Sequence, residues 1–309
     1  MLGFGKRLHV YTTAEAHTSV RKAALLAGFA ADDIRVIDVD PHSRDMRVDV
    51  LAEVMQTDVD AGGVPAIVVA SLGSTGVTAF DPLPEISEIA RPHGAWIHVD
   101  AAMAGSALLL PEYRHLFAGV EDADSLSWNP HKWMGTILDT SLLYLRDPEH
   151  LIRVMSTNPS YLQSTAGGEA TQYRDWGVPL GRRFRALKLW YHLRVDGPEA
   201  IRDRLRRDLA NARWFAEEIA ARPGWEVVAP VRLQTVCVRH TPAALVGDPA
   251  AISEHNHRWV RDLNVSGAAF LSPSQLADWW IARVSIGVES TEREHLARLL
   301  ELMDQHATG

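Results

Sequence analysis

The sequence predicts an α/β fold, a mostly parallel sheet flanked by helices, followed by a smaller unit of α+β type. Short Val- and Ile-rich runs alternate with segments whose apolar residues recur every three or four positions. His17, Thr75, Asp100 and Lys132 each fall just after such a run, where open sheets of this kind collect ligands. Near Gly181 the alternation gives way to longer helical patterns. With 309 residues, 47% of them apolar, the chain can bury a core large enough for one large and one small unit.

In chain order, residues 8–11 read as the first strand and residues 18–27 as a helix by apolar spacing. Strands follow at 34–37 and 66–70, a helix at 84–90, and further strands at 96–99, 125–128 and 141–145. From Gly181 a long amphipathic helix is expected through Leu193, closed by the turn Asp196-Gly197-Pro198. Beyond it come a helix over 201–221, strands at 225–228 and 234–239, and a final helix over 292–305. The division is expected at residues 1–194 and 195–309.

Bulk composition narrows the partners. A formal charge of −8 argues against a nucleic-acid surface, which needs clustered positive charge. The basic cluster Arg182-Arg183-Phe184-Arg185 with Lys188 carries Phe184, Leu187 and Trp190 at helical spacing, and reads as a solvated helix face with salt bridges. The single cysteine, Cys237, excludes an internal disulfide and a thiolate zinc cluster. It lies in an apolar run, so it reads as buried and fits a reducing cytoplasm. No secretory signal and no bilayer-length apolar segment are visible, so a cytoplasmic protein with no membrane partner is expected.

Two residues carry the chemistry. Asp100 ends the run Trp96-Ile97-His98-Val99-Asp100, and the two alanines after it leave room for something flat. Alone, this acid reads equally well as a helix cap. Lys132 sits in Ser127-Trp128-Asn129-Pro130-His131-Lys132-Trp133, between a histidine and a tryptophan. A lysine in that setting is expected to be desolvated and therefore nucleophilic. On its own it would read as a surface lysine snorkelling past Trp133, and the Asn129-Pro130-His131 context reverses that reading. His17, in isolation, is a partly exposed neighbour of a helix cap at Thr18 or Ser19. His98, Asp100 and His131 form a conceivable ligand set, but the segment around Lys132 has no purpose in a metal site, and no metal is expected. No Gly-x-Ser-x-Gly elbow for a serine hydrolase is present.

Asn129-Pro130-His131-Lys132-Trp133 resembles the cofactor-lysine segment of the group II pyridoxal-phosphate decarboxylases, in particular the aromatic-L-amino-acid decarboxylase branch. Tyr173-Arg174-Asp175-Trp176-Gly177-Val178-Pro179-Leu180-Gly181 is similar to a second segment of that branch. The resemblance implies a fold-type I architecture, pyridoxal 5′-phosphate as cofactor, and a homodimer with its site at the subunit interface. It implies that Lys132 holds the cofactor aldehyde and that Asp100 meets the pyridine nitrogen. His17 would stack on the ring, with Ala102 on the opposite face. Thr75, in Ala70-Ser71-Leu72-Gly73-Ser74-Thr75, would lie beside the cofactor, with Asn129 and His131 at its phosphate end. Tyr161, on a loop near Asn158-Pro159-Ser160, would be the group that protonates carbon after carbon dioxide leaves.

The implied reaction is decarboxylation of an L-amino acid, aromatic by this branch, to the amine and carbon dioxide. The alternatives are a glutamate-type decarboxylase, an aldehyde-forming relative, and an impaired fragment acting only as a dimer partner. Relatives carry a long portion ahead of the segment corresponding to Leu8, including a Ser- and Gly-rich turn for the cofactor phosphate. The chain is therefore expected to be truncated at its amino terminus and its sheet to be one strand short. Met103 stands where this branch usually has a tyrosine, which bears on the substrate.

Overall fold

The computed structural model describes residues 5–156 and 171–308. Its larger sheet is built from β1 (Leu8–Thr13), β2 (Ile34–Ile37), β3 (Val64–Ser71), β4 (Trp96–Asp100), β5 (Ser125–Trp128) and β6 (Leu142–Leu145), in the order β2-β1-β3-β4-β5-β6. The first five strands pair in parallel, and β6 runs antiparallel to β5 at the edge. These segments are rich in β-branched and aromatic residues, which suit a pleated surface covered on both faces.

The covering follows the two-residue period of the strands. On one face Val68 and Ala70 of β3 and Ile97 and Val99 of β4 pack against Leu51 and Met55 of α2 (Val48–Asp60) and Ile86 of α3 (Leu83–Ala90). On the other, Val10 and Val69 meet Ala24 of α1 (Thr18–Leu26). Pro84 lies in the first turn of α3, where its missing N–H costs no helical hydrogen bond.

A second sheet has the order β7-β8-β10-β9 and is antiparallel throughout: β7 (Trp225–Val227), β8 (Thr235–His240), β9 (Ser272–Leu276) and β10 (Trp279–Ser285). Its core holds Val236, Val238 and Val284 with Trp259 of α7 (Pro249–Ser266) and Leu300 and Met303 of α8 (Arg293–Thr308). The 23-residue α6 (Pro198–Ala220) spans both cores. Ile201, Leu205 and Leu209 belong to the first, Ala212, Phe215 and Ile219 to the second. Two further helices, α4 (Glu149–Met155) and α5 (Ala186–Val195), complete the described α-helices. None of the described helices is long and apolar enough to cross a membrane.

Three departures from the sequence reading have physical reasons. The helix expected from Gly181 starts at Ala186, because Arg182 to Arg185 lie outside its regular turns. The edge strand β9, Ser-Pro-Ser-Gln-Leu, is too polar to read as a strand, and its proline is tolerated only because it lies at a sheet edge. Helix α7 was hidden because its buried face includes His255 and Asn256 among the apolar positions. Asn256 is fully buried and fully bonded: its Oδ1 accepts from the His240 N–H (2.8 Å) and the Trp259 indole (3.0 Å), and its Nδ2 donates to the His240 carbonyl (2.8 Å).

Beside it, His240 Nδ1 and His255 Nε2 stand 2.9 Å apart, so one ring donates and the other accepts. Burial, then the neighbouring His240, push the His255 pKa down to about 4, and burial also lowers that of His240. Between the ordinary histidine value near 6.5 and about 4, the unfolded chain binds a proton that the folded chain refuses. Stability is therefore complete above that window and falls as pH drops through it, by on the order of 2 kcal/mol. In urea unfolding followed from pH 7 to pH 5, the wild-type chain should lose stability more steeply than His255→Gln, whose amide can still pair with His240; equal slopes would contradict this account.

Candidate active site

The site is assembled where β1, β3, β4 and β5 end. After β1 the chain turns into α1, and His17 itself is the helix cap, its Nδ1 accepting the Ser19 N–H (3.2 Å) and lying 2.7 Å from Ser19 Oγ. The cap is thus neither Thr18 nor Ser19. After β3, residues 71–81 close into a tight loop. The N–H groups of Gly73 and Ser74 donate to the Ala79 carbonyl, and Ser74 Oγ accepts the Ala79 N–H (3.1 Å). Thr75 is left at the exposed tip. Gly73 has φ +82°, and a Cβ there would fall 2.3 Å from that of Ala104, so glycine is required on both counts.

The base of this loop is held by buried Asp81, whose carboxylate accepts the N–H groups of Ser71 (2.7 Å) and Met46 (2.8 Å). Burial pushes its pKa up to about 7 against the pull of those two donors. Asp45 accepts the Phe80 N–H (2.7 Å) and is paired with both terminal nitrogens of Arg232 at 2.6 and 2.7 Å. The loop carrying Thr75 is therefore tied to the chain that leads into β8.

Asp100 closes β4 in register between Ser71 and Ser127. Its Oδ1 accepts the Ala102 N–H (3.0 Å), which fixes the side chain over the start of the following turn. After β5 the turn is tight: Asn129 N–H donates to the Ala102 carbonyl and Lys132 N–H to the Asn129 carbonyl, each at 2.9 Å. His131 Nδ1 lies 2.7 Å from the Thr140 carbonyl and 3.1 Å from its amide nitrogen. Trp133 is buried, its indole donating to Asp208 (3.0 Å), while Lys132 is exposed.

His17, Thr75, Asp100, Ala102 and Lys132 line one recess, together with Ser74 and Met103. Asn129 and His131 do not line it, being one turn behind it on the Lys132 segment. Tyr161 lies outside the described residues. The expectation that Lys132 is desolvated is corrected: Trp133 takes the interior position, so its neighbour emerges into the recess. His98 Nδ1 is 2.8 Å from Ser125 Oγ, and burial pushes its pKa down although Asp100 pulls it up.

The recess opens into a cavity of about 310 Å³ that shares Thr75, Met103 and Lys132 and is walled on its far side by Gln234, Thr235, Arg283 and Ser285. Arg283 Nε and Gln234 Oε1 are buried there without a hydrogen-bond partner, and burial lowers the Arg283 pKa. Gln234 Nε2 lies 2.9 Å from Met103 Sδ. Sequence reasoning missed Arg283; a lone arginine in the apolar run Trp279–Ser285 was the available signal. A larger apolar cavity of about 420 Å³, lined by Leu108, Leu126, Trp128 and Tyr144, contains none of these groups.

Residues 3–241 match the pyridoxal-dependent decarboxylase conserved domain. The chain is 36% identical over 306 residues to phenylacetaldehyde synthase of Arabidopsis thaliana, an alignment covering 98% of this chain and 62% of that protein. It is 38% identical over 286 residues to aromatic-L-amino-acid decarboxylase of Drosophila lebanonensis, covering 93% of this chain and 68% of that protein. Among solved structures, Oryza sativa TDC with PLP and tryptamine superposes with a TM-score of 0.94 at 37% identity, covering 98% of this chain and 63% of that one. The chain thus spans 62% of the Arabidopsis protein's length and 63% of the rice structure's.

Proposed function

Because this chain belongs to the pyridoxal-dependent decarboxylases, we propose that it serves the removal of carbon dioxide from an aromatic L-amino acid, leaving the amine. The observation that carries this reading is that an exposed lysine amine and an anchored aspartate carboxylate face the same recess. The residues present fit pyridoxal phosphate. An amine suits its aldehyde, a carboxylate suits its pyridine nitrogen, and the adjoining cavity of about 310 Å³, which shares Thr75, Met103 and Lys132 with the recess, offers room beside them. When bound, the cofactor supplies a sink for the electron pair released as the carboxylate departs.

Lys132 holds the cofactor through its aldehyde. Asp100, fixed by the Ala102 N–H, keeps a proton on the ring nitrogen by placing a negative charge beside it. His17, Ala102, Thr75 and Ser74, which share the recess, would hold the ring, and Asn129 and His131 would serve its phosphate end. Arg283 receives the substrate carboxylate: it is a half-buried cation with an unmatched Nε at the wall of the adjoining cavity, where a carboxylate gains charge-assisted hydrogen bonds. Tyr161 would give its hydroxyl proton to the substrate carbon in place of the departed carbon dioxide. An aromatic substrate is supported by the names of the relatives, which include tryptophan and tyrosine decarboxylases. The Arabidopsis relative's name, an aldehyde synthase, supplies the second reading, in which the product is an aldehyde.

The working unit is a homodimer. Phe184, Leu187, Trp190 and Tyr191, on and just ahead of α5, and Ile137 and Leu138, after the Lys132 turn, leave apolar side chains exposed, as a subunit interface requires. The parts are a cofactor-binding unit over 1–194 and a smaller unit over 195–309, in a cytoplasmic setting that suits the one buried, unpaired cysteine.

Adding pyridoxal phosphate to the purified chain should produce a visible absorbance band that is absent in Lys132→Ala; a band of equal strength in the variant would remove Lys132 from its role. Arg283→Leu should lower kcat/KM about 10- to 100-fold, as expected for a hydrogen-bonded charge worth roughly 1.5–3 kcal/mol. An unchanged KM and kcat would contradict the carboxylate assignment. In aerated buffer, where dissolved dioxygen can take up the two electrons that aldehyde formation releases, Tyr161→Phe should divert product from amine to aldehyde with amine formation down by about 10²–10⁴, and an all-amine product from this variant would assign the proton to another group.

A further inference from the structure

We propose that Asp208 and Arg204, one turn apart on α6, are positioning residues that pin the turn carrying Lys132 by gripping the residue after it. The inference rests on the reading of Lys132 as the cofactor lysine. Trp133 is 3% exposed, and its indole N–H donates to Asp208 Oδ2 at 3.0 Å. Arg204 Nη2 donates to the carbonyl oxygens of Trp133 (2.9 Å) and Met134 (2.5 Å), while its Nη1 stands 3.4 Å from Asp208 Oδ2. One acid–base pair on a helix thus holds both the side chain and the backbone that follow Lys132.

Adhesion alone does not account for this pair. Helix α6 already buries Ile201, Leu205 and Leu209 in the same core, and an apolar residue at position 208 would add to that contact without desolvation cost. Instead Asp208 is wholly buried, and its Oδ1 has no hydrogen-bond partner. Burial pushes its pKa up, opposed chiefly by the Trp133 hydrogen bond and Arg204. What a directed acceptor provides and a leucine does not is one orientation for the indole. Because Trp133 points inward, Lys132 points out into the recess. The surroundings are shaped for the same end. Gly135, at φ +86°, takes the left-handed conformation that favours glycine, in van der Waals reach of the Arg204 guanidinium. A Cβ on Gly287 would lie 3.1 Å from the Trp133 ring. Thr136 Oγ1, at the end of the turn, is 2.7 Å from His192 Nδ1 of α5.

The test uses the full chain as wild type, Asp208→Leu, Asp208→Asn, Trp133→Phe and the Asp208→Leu/Trp133→Phe double variant. Affinity for pyridoxal phosphate is read by titrating the visible band. Hydrogen exchange of residues 130–136 is followed in the cofactor-free chain, and circular dichroism checks the fold. Asp208→Leu and Trp133→Phe should each weaken cofactor binding about tenfold and speed exchange of 130–136. Asp208→Asn keeps an acceptor for the indole and should restore binding to within about threefold of wild type. The double variant should be no worse than the poorer single, because both changes remove one interaction. Additive losses, or folded Asp208→Leu with unchanged affinity and exchange, would overturn the proposal. Should Asp208→Leu not fold, Trp133→Phe with wild-type affinity and exchange would overturn it equally. A wild-type chain that gives no band defeats the cofactor reading, and exchange of 130–136 then decides the pin by itself.

Discussion

The site depends on the parallel register that sets Ser71, Asp100 and Ser127 side by side at one rim of the sheet. Parallel strands all end on the same side, so the segments after β1, β3, β4 and β5 must emerge together. His17, Thr75, Asp100 and Lys132 occupy those segments. The two-residue period makes the arrangement strict: a slip of β4 by one position would turn Asp100 to the opposite face and drive His98 and Trp96 with it. The register is secured from within the sheet by buried Val68, Ala70, Ile97 and Val99, and at its rim by the Leu72 N–H bonded to the Asp100 carbonyl.

Around that rim the fold accepts buried polar groups where an apolar core would be cheaper, and each is directed at a segment next to the site. Asp81 fixes the start of the Thr75 loop through two N–H groups, and Asp208 fixes the indole next to Lys132. A desolvated carboxylate is tolerable only when hydrogen bonds oppose the cost, and both acids have them. Their raised pKa values are the trace of that balance. Asn256, in the second sheet's core, achieves the same without charge, through four bonds to His240, Ile252 and Trp259.

Much of this was legible in the sequence because it is encoded locally. The strands of the larger sheet were visible as short apolar runs, most of them rich in Val or Ile, and β2 and β5 in particular coincide with the expected segments. Asp100 and Lys132 were marked by neighbours adjacent in the chain. What was not legible depends on contacts between distant residues. The partner of Trp133 lies 75 positions away, and that of Asp45 lies 187 positions away, so no window along the chain contains either pair. Arg283 went unmarked in the sequence, and only folding brings it to the cavity that Lys132 also lines. The exposure of Lys132 was misread for the same reason: its hydrophobic context belongs to Trp133, and the alternation of a tight turn separates the two.

The larger sheet supplies the recess, but the smaller half controls how it is presented. Helix α6 grips the Lys132 turn with its first half and joins the second core through Phe215 and Ile219 with its other half. Strand β10 carries Arg283, and β10 pairs with β8 so that Arg283 stands opposite Cys237, three residues from His240. One member of the buried histidine pair, His240, therefore belongs to the same antiparallel sheet as the cation that walls the cavity, and the other, His255, packs on that sheet from α7.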